Sequence, residues 1–260
     1  MKKESMDIPV SAVLITLDAE RWLDTVLEPL HCCDEILILD SGSRDRTSEI
    51  AARHGVAWHE HAFDGYGPQK RRAVEMARND WVLSIDADEV LESATVEAIT
   101  AIIWSRQDLR TCWKIRRRPF IGDREVRYGH WVPDPVVRLF NRRVHNFTQS
   151  MVHESVRPTG PVHHLSGAML HHSYPDLAAL FRADYHRMKA TDYRARGRQT
   201  PGALNLVGRA SWAFFYSLVL KRGLLDGPAG VVVALSGAVN AVLGLVLAGE
   251  NSEKAISKEK

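Results

Sequence analysis

Short apolar runs alternate with amphipathic stretches through the first two-thirds of the chain, and an almost wholly apolar region follows. Residues 10–17 and 35–39 have the length and β-branched content of buried strands. Residues 44–54 predict a helix, with Ser43 or Asp45 as N-cap and Gly55 just past its end. Residues 56–59 predict a third strand, 69–78 a helix, 81–85 a strand ending in carboxylates, and 93–104 a helix capped by Ser93. This alternation implies an α/β layer on a mostly parallel sheet. Beyond Cys112 the strands are expected to shorten and helices to cease until about Leu177, with an irregular β section covering the sheet's open end.

Four segments are expected: a catalytic domain over 1–175, a basic amphipathic helix over 176–200, an apolar hairpin over 201–250 and a frayed, charged tail over 251–260. Residues 229–248 carry no formal charge and are long enough to cross a hydrocarbon core of about 30 Å. Gly230, Ala234, Gly237, Ala241, Gly244 and Ala248 line one face of that stretch. Such a seam admits a close neighbour, and residues 204–220 are the expected one. A basic helix beside an apolar hairpin suits an anionic membrane surface.

Composition narrows the function classes. Among 260 residues, 45% are apolar and 25% charged, which excludes disorder as the main state. The net charge of +2 argues against a dedicated nucleic-acid binder. That charge is segregated, however. Between Arg106 and Arg143 eleven basic residues face four acids, a surplus of seven. Such a segment attracts an anionic ligand, or else is only a solvated face. Trp113, Phe120, Tyr128 and Trp131 interleave with it, but no nucleic-acid motif accompanies them. Cys32, Cys33 and Cys112 lack CxxC spacing, which fits a reducing cytosol rather than a disulfide or zinc framework. The first apolar run breaks at Asp18 and Glu20 and reads as a strand, not a signal peptide.

Ligands of such sheets bind beyond the carboxyl ends of the strands. No GxGxxG or P-loop follows any predicted strand. Instead Asp40-Ser41-Gly42-Ser43 follows the second and Asp86-Ala87-Asp88-Glu89 the fourth. Asp86 and Asp88 leave the strand two residues apart, and Mg²⁺ or Mn²⁺ is commonly shared between one or two carboxylates and substrate phosphates. A turn and a helix cap are the alternatives for that motif, as a helix-entry cap is for Asp40.

The pieces VSAVLITLDAE, EILILDSGSRDRTSEIA, FDGYGPQKRRAVEMARNDWVLSIDADE, HWVPDPVVRLFNRR, VHE and LHHSY stand in one order over roughly residues 8–175. In that set the chain resembles family-2 glycosyltransferases of the GT-A fold, within them the lipopolysaccharide core glucosyltransferase branch. One departure is that members usually have Asn followed by two acids where Asp18 stands, and Ala19 interrupts that pair here. The resemblance implies a GT-A sheet with flanking helices and inverting, metal-dependent transfer of a hexose. The implied donor is a UDP-sugar, glucose foremost, and the implied acceptor a heptose of the lipopolysaccharide inner core. It further implies that Asp40, Thr16 and Leu17 line the nucleoside pocket, that Lys70 meets the diphosphate or the base, and that Asp86 faces the ribose or a metal-bound water.

Asp88 is the implied metal ligand, with Asp86 as a second, and His153, His171 and His172 as histidines able to complete the set. Inversion needs a base for the acceptor hydroxyl. Asp134, between Pro133 and Pro135 and followed by Arg138, is the first choice and Glu154 the competitor. The place expected is the cytoplasmic face of a bacterial inner membrane, the partners an anionic glycolipid and the membrane surface, with no nucleic acid. Rival readings are a polyprenyl phosphate or other glycolipid acceptor, and a nucleotidyltransferase.

Overall fold

The computed structural model describes residues 8–102, 104–150, 154–181, 183–197 and 200–256. In chain order the first elements are β1 (Ile8–Thr16), α1 (Leu23–Leu27), β2 (Cys33–Asp40), α2 (Thr47–His54), β3 (Ala57–Glu60), α3 (Tyr66–Met76) and β4 (Trp81–Ser84). Next come β5 (Glu89–Leu91), α4 (Ser93–Thr100), β6 (Cys112–Ile121), β7 (Arg124–Glu125), β8 (Asp134–Asn141), β9 (Val162–His164) and β10 (Met169–Tyr174). Three helices close the chain, α5 (Ala183–Ala195), α6 (Ala203–Phe215) and α7 (Pro228–Ile256). Two compact units result, Met1–Arg117 with Asp134–His171, and Arg118–Pro133 with His172–Lys260.

The sheet order is β3-β2-β1-β4-β8-β6-β10-β5. β3, β2, β1 and β4 run parallel, and β8 joins β4 antiparallel. The expectation of a mostly parallel sheet therefore holds for β3, β2, β1 and β4 alone, and the whole is the mixed sheet of a GT-A fold. Strand periodicity explains the layers, because successive side chains point to opposite faces. Val10, Ala12 and Leu14 of β1 join Ile36 and Ile38 of β2 and helix residues Leu23, Val26 and Ile50 in one core. Val13, Leu37, Leu39 and Val82 face the other way, onto Ala73 and Val74 of α3. Helices on both faces account for the near-continuous apolar reading of these strands.

Three local expectations change. β6 is ten residues long, so the strands after Cys112 do not all shorten. Its charged positions Arg117 and Arg118 are held by ion pairs, and Arg116 is exposed. Ser93 begins α4 but provides no side-chain cap. Thr95 instead donates to the Ala168 and Ser166 carbonyls. Asp45 does bond the Thr47 N–H at 2.9 Å, and Gly55 ends α2 at φ 65°.

In the second unit a 3₁₀ turn, Ala178–Phe181, precedes α5, with the Ala179 N–H bonded to Asp176 Oδ1 at 2.9 Å. Ile121, Val126, Leu180 and Val233 form its core. α7 runs on to Ile256, past the apolar stretch and into the region where the sequence predicts fraying. The glycine seam of α7 has neighbours other than the helix predicted for it. A Cβ on Gly230 would lie 1.8 Å from the Gly223 carbonyl oxygen, one on Gly237 2.9 Å from the His130 ring, and one on Gly244 3.2 Å from Lys189. α6 also packs on α7, yet none of its residues is buried.

Gly67 is where α3 meets the strip that leads to Glu154. Its N–H donates to the Ser150 carbonyl at 3.1 Å, and a Cβ there would stand 2.3 Å from the Thr148 oxygen and 2.5 Å from that of Ser150. Gly67→Ala must displace backbone, so a loss of about 1–3 kcal/mol is expected in urea unfolding. An unchanged midpoint would contradict this packing.

Candidate active site

The site is built at the carboxyl ends of β1, β2 and β4. Asp40, the last residue of β2, is buried and accepts four hydrogen bonds. Thr16 and Ser43 hydroxyls reach Oδ1 at 2.6 and 2.5 Å, and the Gly42 and Ser43 N–H groups reach Oδ2 at 2.7 Å each. Gly42 makes this turn at φ 95°, which favours glycine. Asp40 as placed thus organises the loop, the helix-entry role weighed above. A nucleoside contact there requires one hydroxyl to rotate away. Leu17 stands 56% exposed beside it.

The neighbouring β1–α1 loop is fastened to the start of α2. The N–H groups of Asp18, Ala19 and Glu20 donate to Ser43 Oγ, Thr47 Oγ1 and Asp45 Oδ2. Asp18 answers by accepting from the Arg44 N–H at 2.8 Å. It sits at φ 49°, a left-handed conformation that Asn and Asp tolerate. That backbone demand explains why the family's Asn can be Asp here. Gln69, absent from the sequence reading, is fully buried and ties α3 to the β2 loop through Ser41 and the His61 carbonyl.

Lys70, the next residue, begins a chain of alternating charges. Its buried ammonium contacts Asp86 Oδ1 and Glu154 Oε1, each at 2.7 Å. Asp86 Oδ2 meets Arg138 Nη2 at 2.6 Å. The same guanidinium pairs with Glu89, which is fully buried and accepts from the Asp86 N–H at 3.1 Å. Arg117 contacts Glu89 at 3.5 Å and continues to Asp134, with Nε at 2.7 Å from Oδ2. β6 and β8 place Arg117 and Asp134 as direct register partners. Four carboxylates and three cations leave this chain one negative charge in excess.

These pairings decide the protonation states. Burial alone would raise Asp86, but the Arg138 and Lys70 cations outweigh it and hold its carboxyl well below the ordinary value. Lys70 is likewise kept protonated, because Asp86 and Glu154 overcome its desolvation and the nearby Arg138. Asp88 is different. Burial raises its carboxyl, with Asp86 and Glu89 adding to that, against a lesser opposing pull from His171. Its nearest ion-pair partner among the described residues is His171 Nε2, at 3.7 Å.

That contrast is the test of metal fit. Both oxygens of Asp86 already face cations, whereas Asp88 and His171 are an oxygen and a nitrogen donor with capacity to spare in a net negative pocket. They fit a hard divalent ion that takes its remaining ligands from phosphate and water. Among the described residues no cluster of three or more metal-ligating side chains occurs.

The structure brings Lys70, Asp86, Asp88, Glu154, Asp134 and His171 into this network, and Thr16 with Asp40 into the loop beside it. His153 lies outside the described residues. His172 follows His171 on β10, so it points to the opposite sheet face, and it packs on Phe120 instead. Arg138 belongs to Asp86 and Glu89 and not to Asp134, whose partner is Arg117. Glu89, Arg117 and Gln69 are the residues the sequence reading missed. Glu89 was visible only as the third acid of DADE, and Arg117 as one of many arginines. Tyr66 was missed as well. Burial and then Glu154 raise its phenol, and its exposed ring meets Phe63 edge-on at 5.1 Å.

The surplus of seven over residues 106–143 is partly compensated. Arg110, Arg117, Arg118, Arg127, Arg138, Arg142 and Arg143 are all ion-paired. Only Asp80, Asp86 and Glu89 among their partners lie outside the segment, so a basic excess remains there.

Against known proteins, residues 14–108 match the model of Glycosyl transferase family 2. The chain is 31% identical over 251 residues to the lipopolysaccharide core biosynthesis glycosyltransferase LpsC of Rhizobium meliloti, covering 91% of this chain and 90% of that one. An uncharacterized glycosyltransferase of Rickettsia prowazekii, RP128, is 28% identical over 238 residues, 86% of this chain and 80% of its own. Among solved structures, glucosyl-3-phosphoglycerate synthase from Mycobacterium tuberculosis in complex with Mn²⁺, UDP and glucosyl-3-phosphoglycerate superposes with TM-score 0.48 at 17% identity, covering 75% of this chain and 81% of that one.

Glu89 carries the structural weight of the site. Glu89→Gln removes a buried anion and leaves Arg138 short of one partner, which typically costs about 3–5 kcal/mol. Thermal or urea unfolding should show that loss, and a near-neutral variant would contradict the pairing scheme.

Proposed function

The chain belongs to glycosyl transferase family 2, and we propose that it transfers a hexose with inversion from a UDP-sugar, glucose foremost, to a heptose of the lipopolysaccharide inner core. The observation that carries this reading is Asp88 beside His171, a carboxylate with no closer ion-pair partner among the described residues, just beyond β4 and in the charge network of the buried Lys70 ammonium. The named activity of the LpsC relative supports the acceptor class. The same relationship supports action at a membrane, and the cytoplasmic face of a bacterial inner membrane is the place we assign. Membership in a glycosyltransferase family leaves no room for the nucleotidyltransferase alternative. A polyprenyl phosphate acceptor is the remaining rival, and acceptor assays with each lipid separate the two.

The residues divide the work. Asp40 and Thr16 shape the nucleoside end, with Leu17 at its rim. Lys70 turns from Glu154 toward the donor diphosphate and brings it a positive charge. Asp88 and His171 are the groups that would hold Mg²⁺ or Mn²⁺. Such an ion, when bound, neutralises the departing diphosphate. Asp86 stays ionised between Lys70 and Arg138 and fixes both.

Asp134 takes the proton of the acceptor hydroxyl as that oxygen attacks from the face opposite the diphosphate. Arg117 orients the carboxylate for this, and its link through Glu89 and Arg138 ties base and donor site into one framework. Glu154 is the alternative base, but its pairing with Lys70 suits a donor-side role better.

Two experiments test the assignment. Asp134→Asn should retain UDP binding and lower transfer by roughly 10²- to 10⁴-fold. If Glu154→Gln gives that pattern instead, the base is misassigned. Asp88→Asn should abolish Mn²⁺ binding in calorimetry with UDP present while the melting curve stays cooperative, and wild-type Mn²⁺ affinity would remove Asp88 from the metal site.

A further inference from the structure

The second unit presents its most apolar helix face outward. Leu204 is 91% exposed, Val207 63% and Trp212 60%, and Phe215, Val219 and Leu220 continue the same line. From Leu204 to Val219 these residues recur at intervals of three, five, three and four, which keeps them on one broad side of α6 and the π-helical turn Tyr216–Leu220. Leu224 and Leu225, in the 3₁₀ turn Gly223–Asp226, extend it at 63% and 64% exposure. A helix of a soluble domain turns such a face inward, and here none of the α6 side chains is buried.

Charge selects the occupant. Residues 203–222 contain Arg209, Lys221 and Arg222 and no acid. The nearest acid, Asp226, is engaged by the Arg127 and Tyr128 N–H groups at 3.0 and 2.9 Å. An apolar stripe with aromatic rings and purely basic neighbours fits an anionic bilayer surface.

α7 is longer and more apolar than α6, yet 39% of its apolar span is buried against 6% for residues 203–220. Lys189 Nζ donates to the Asn240 carbonyl and Thr200 Oγ1 to that of Leu245, both at 2.9 Å. The His130 ring lies against Gly237. A crossing α7 would carry an ammonium and an imidazole into hydrocarbon, which is expensive.

We propose that α6 and the turns over residues 216–226 lie flat in the interfacial layer of an anionic bilayer, apolar stripe inward, and that α7 is a packed internal helix that does not cross. This rests on the membrane association proposed above and not on the catalytic assignment.

The test uses the full chain and vesicles of phosphatidylethanolamine with phosphatidylglycerol. The protein should float with these vesicles. Quenching assigned to Trp212, by difference from Trp212→Phe, should be stronger with lipids brominated near the headgroup than near the chain ends. Leu204→Asp/Val207→Asp should weaken flotation about tenfold or more, with an unchanged circular dichroism spectrum.

Flotation without Trp212 quenching, or with deepest quenching from chain-end bromines, overturns the flat geometry and leaves membrane association standing. Absence of flotation overturns both. A dimer in gel filtration that the double variant splits would then identify a second copy as what covers the stripe.

Discussion

A guanidinium buried between two carboxylates, Arg138 between Asp86 and Glu89, is the constraint on which the site depends. Taking these charges from water is costly, and only mutual pairing compensates for it. Each of the three therefore needs the others in place, and they join two distant stretches of chain, the turn from β4 to β5 and strand β8. Asp86 follows β4, Glu89 opens β5 and Arg138 lies on β8. The pairing extends to Lys70 on α3 and through Arg117 to Asp134, so the site is preorganised by electrostatics between rigid elements, as catalysis by fixed dipoles and charges requires.

Two aspartates separated by one residue are driven in opposite directions by this arrangement. Asp86 is committed to cations on both oxygens and its ionised form is favoured. Asp88 is raised by burial and by the like charges of Asp86 and Glu89, with His171 and the more distant Lys70 opposing. One carboxylate thus holds the protein's own cations in position, and the other is the one we propose for the metal. On that proposal the two acids of DxD have different tasks.

Much of this was legible in the sequence because it depends on local pattern. The alternation of β1, α2, β3, α3 and β4 follows from strand length, a capping aspartate and Gly55, all read within a few residues. Asp40, Asp86 and Asp88 stand at strand ends, so their positions were legible. Glu89 and Arg117 were not, because their roles are set by cross-strand register between segments far apart in the chain. The basic surplus over 106–143 was coarse for the same reason, since a charge sum does not record which acids fold against which arginines. The tail shows a third limit. Apolar length nominated residues 201–250 as one hairpin, and it did not tell the two helices apart, of which α6 carries the more exposed apolar stripe.

The claim that most needs testing is that Asp86 is pinned between Arg138 and Lys70. A carbon-detected NMR titration of the aspartate carboxyls, with Asp86→Asn to assign the resonance, measures it directly. The account predicts that Asp86 remains ionised well below the ordinary aspartate value of 3.8. Titration at or above that value would contradict it.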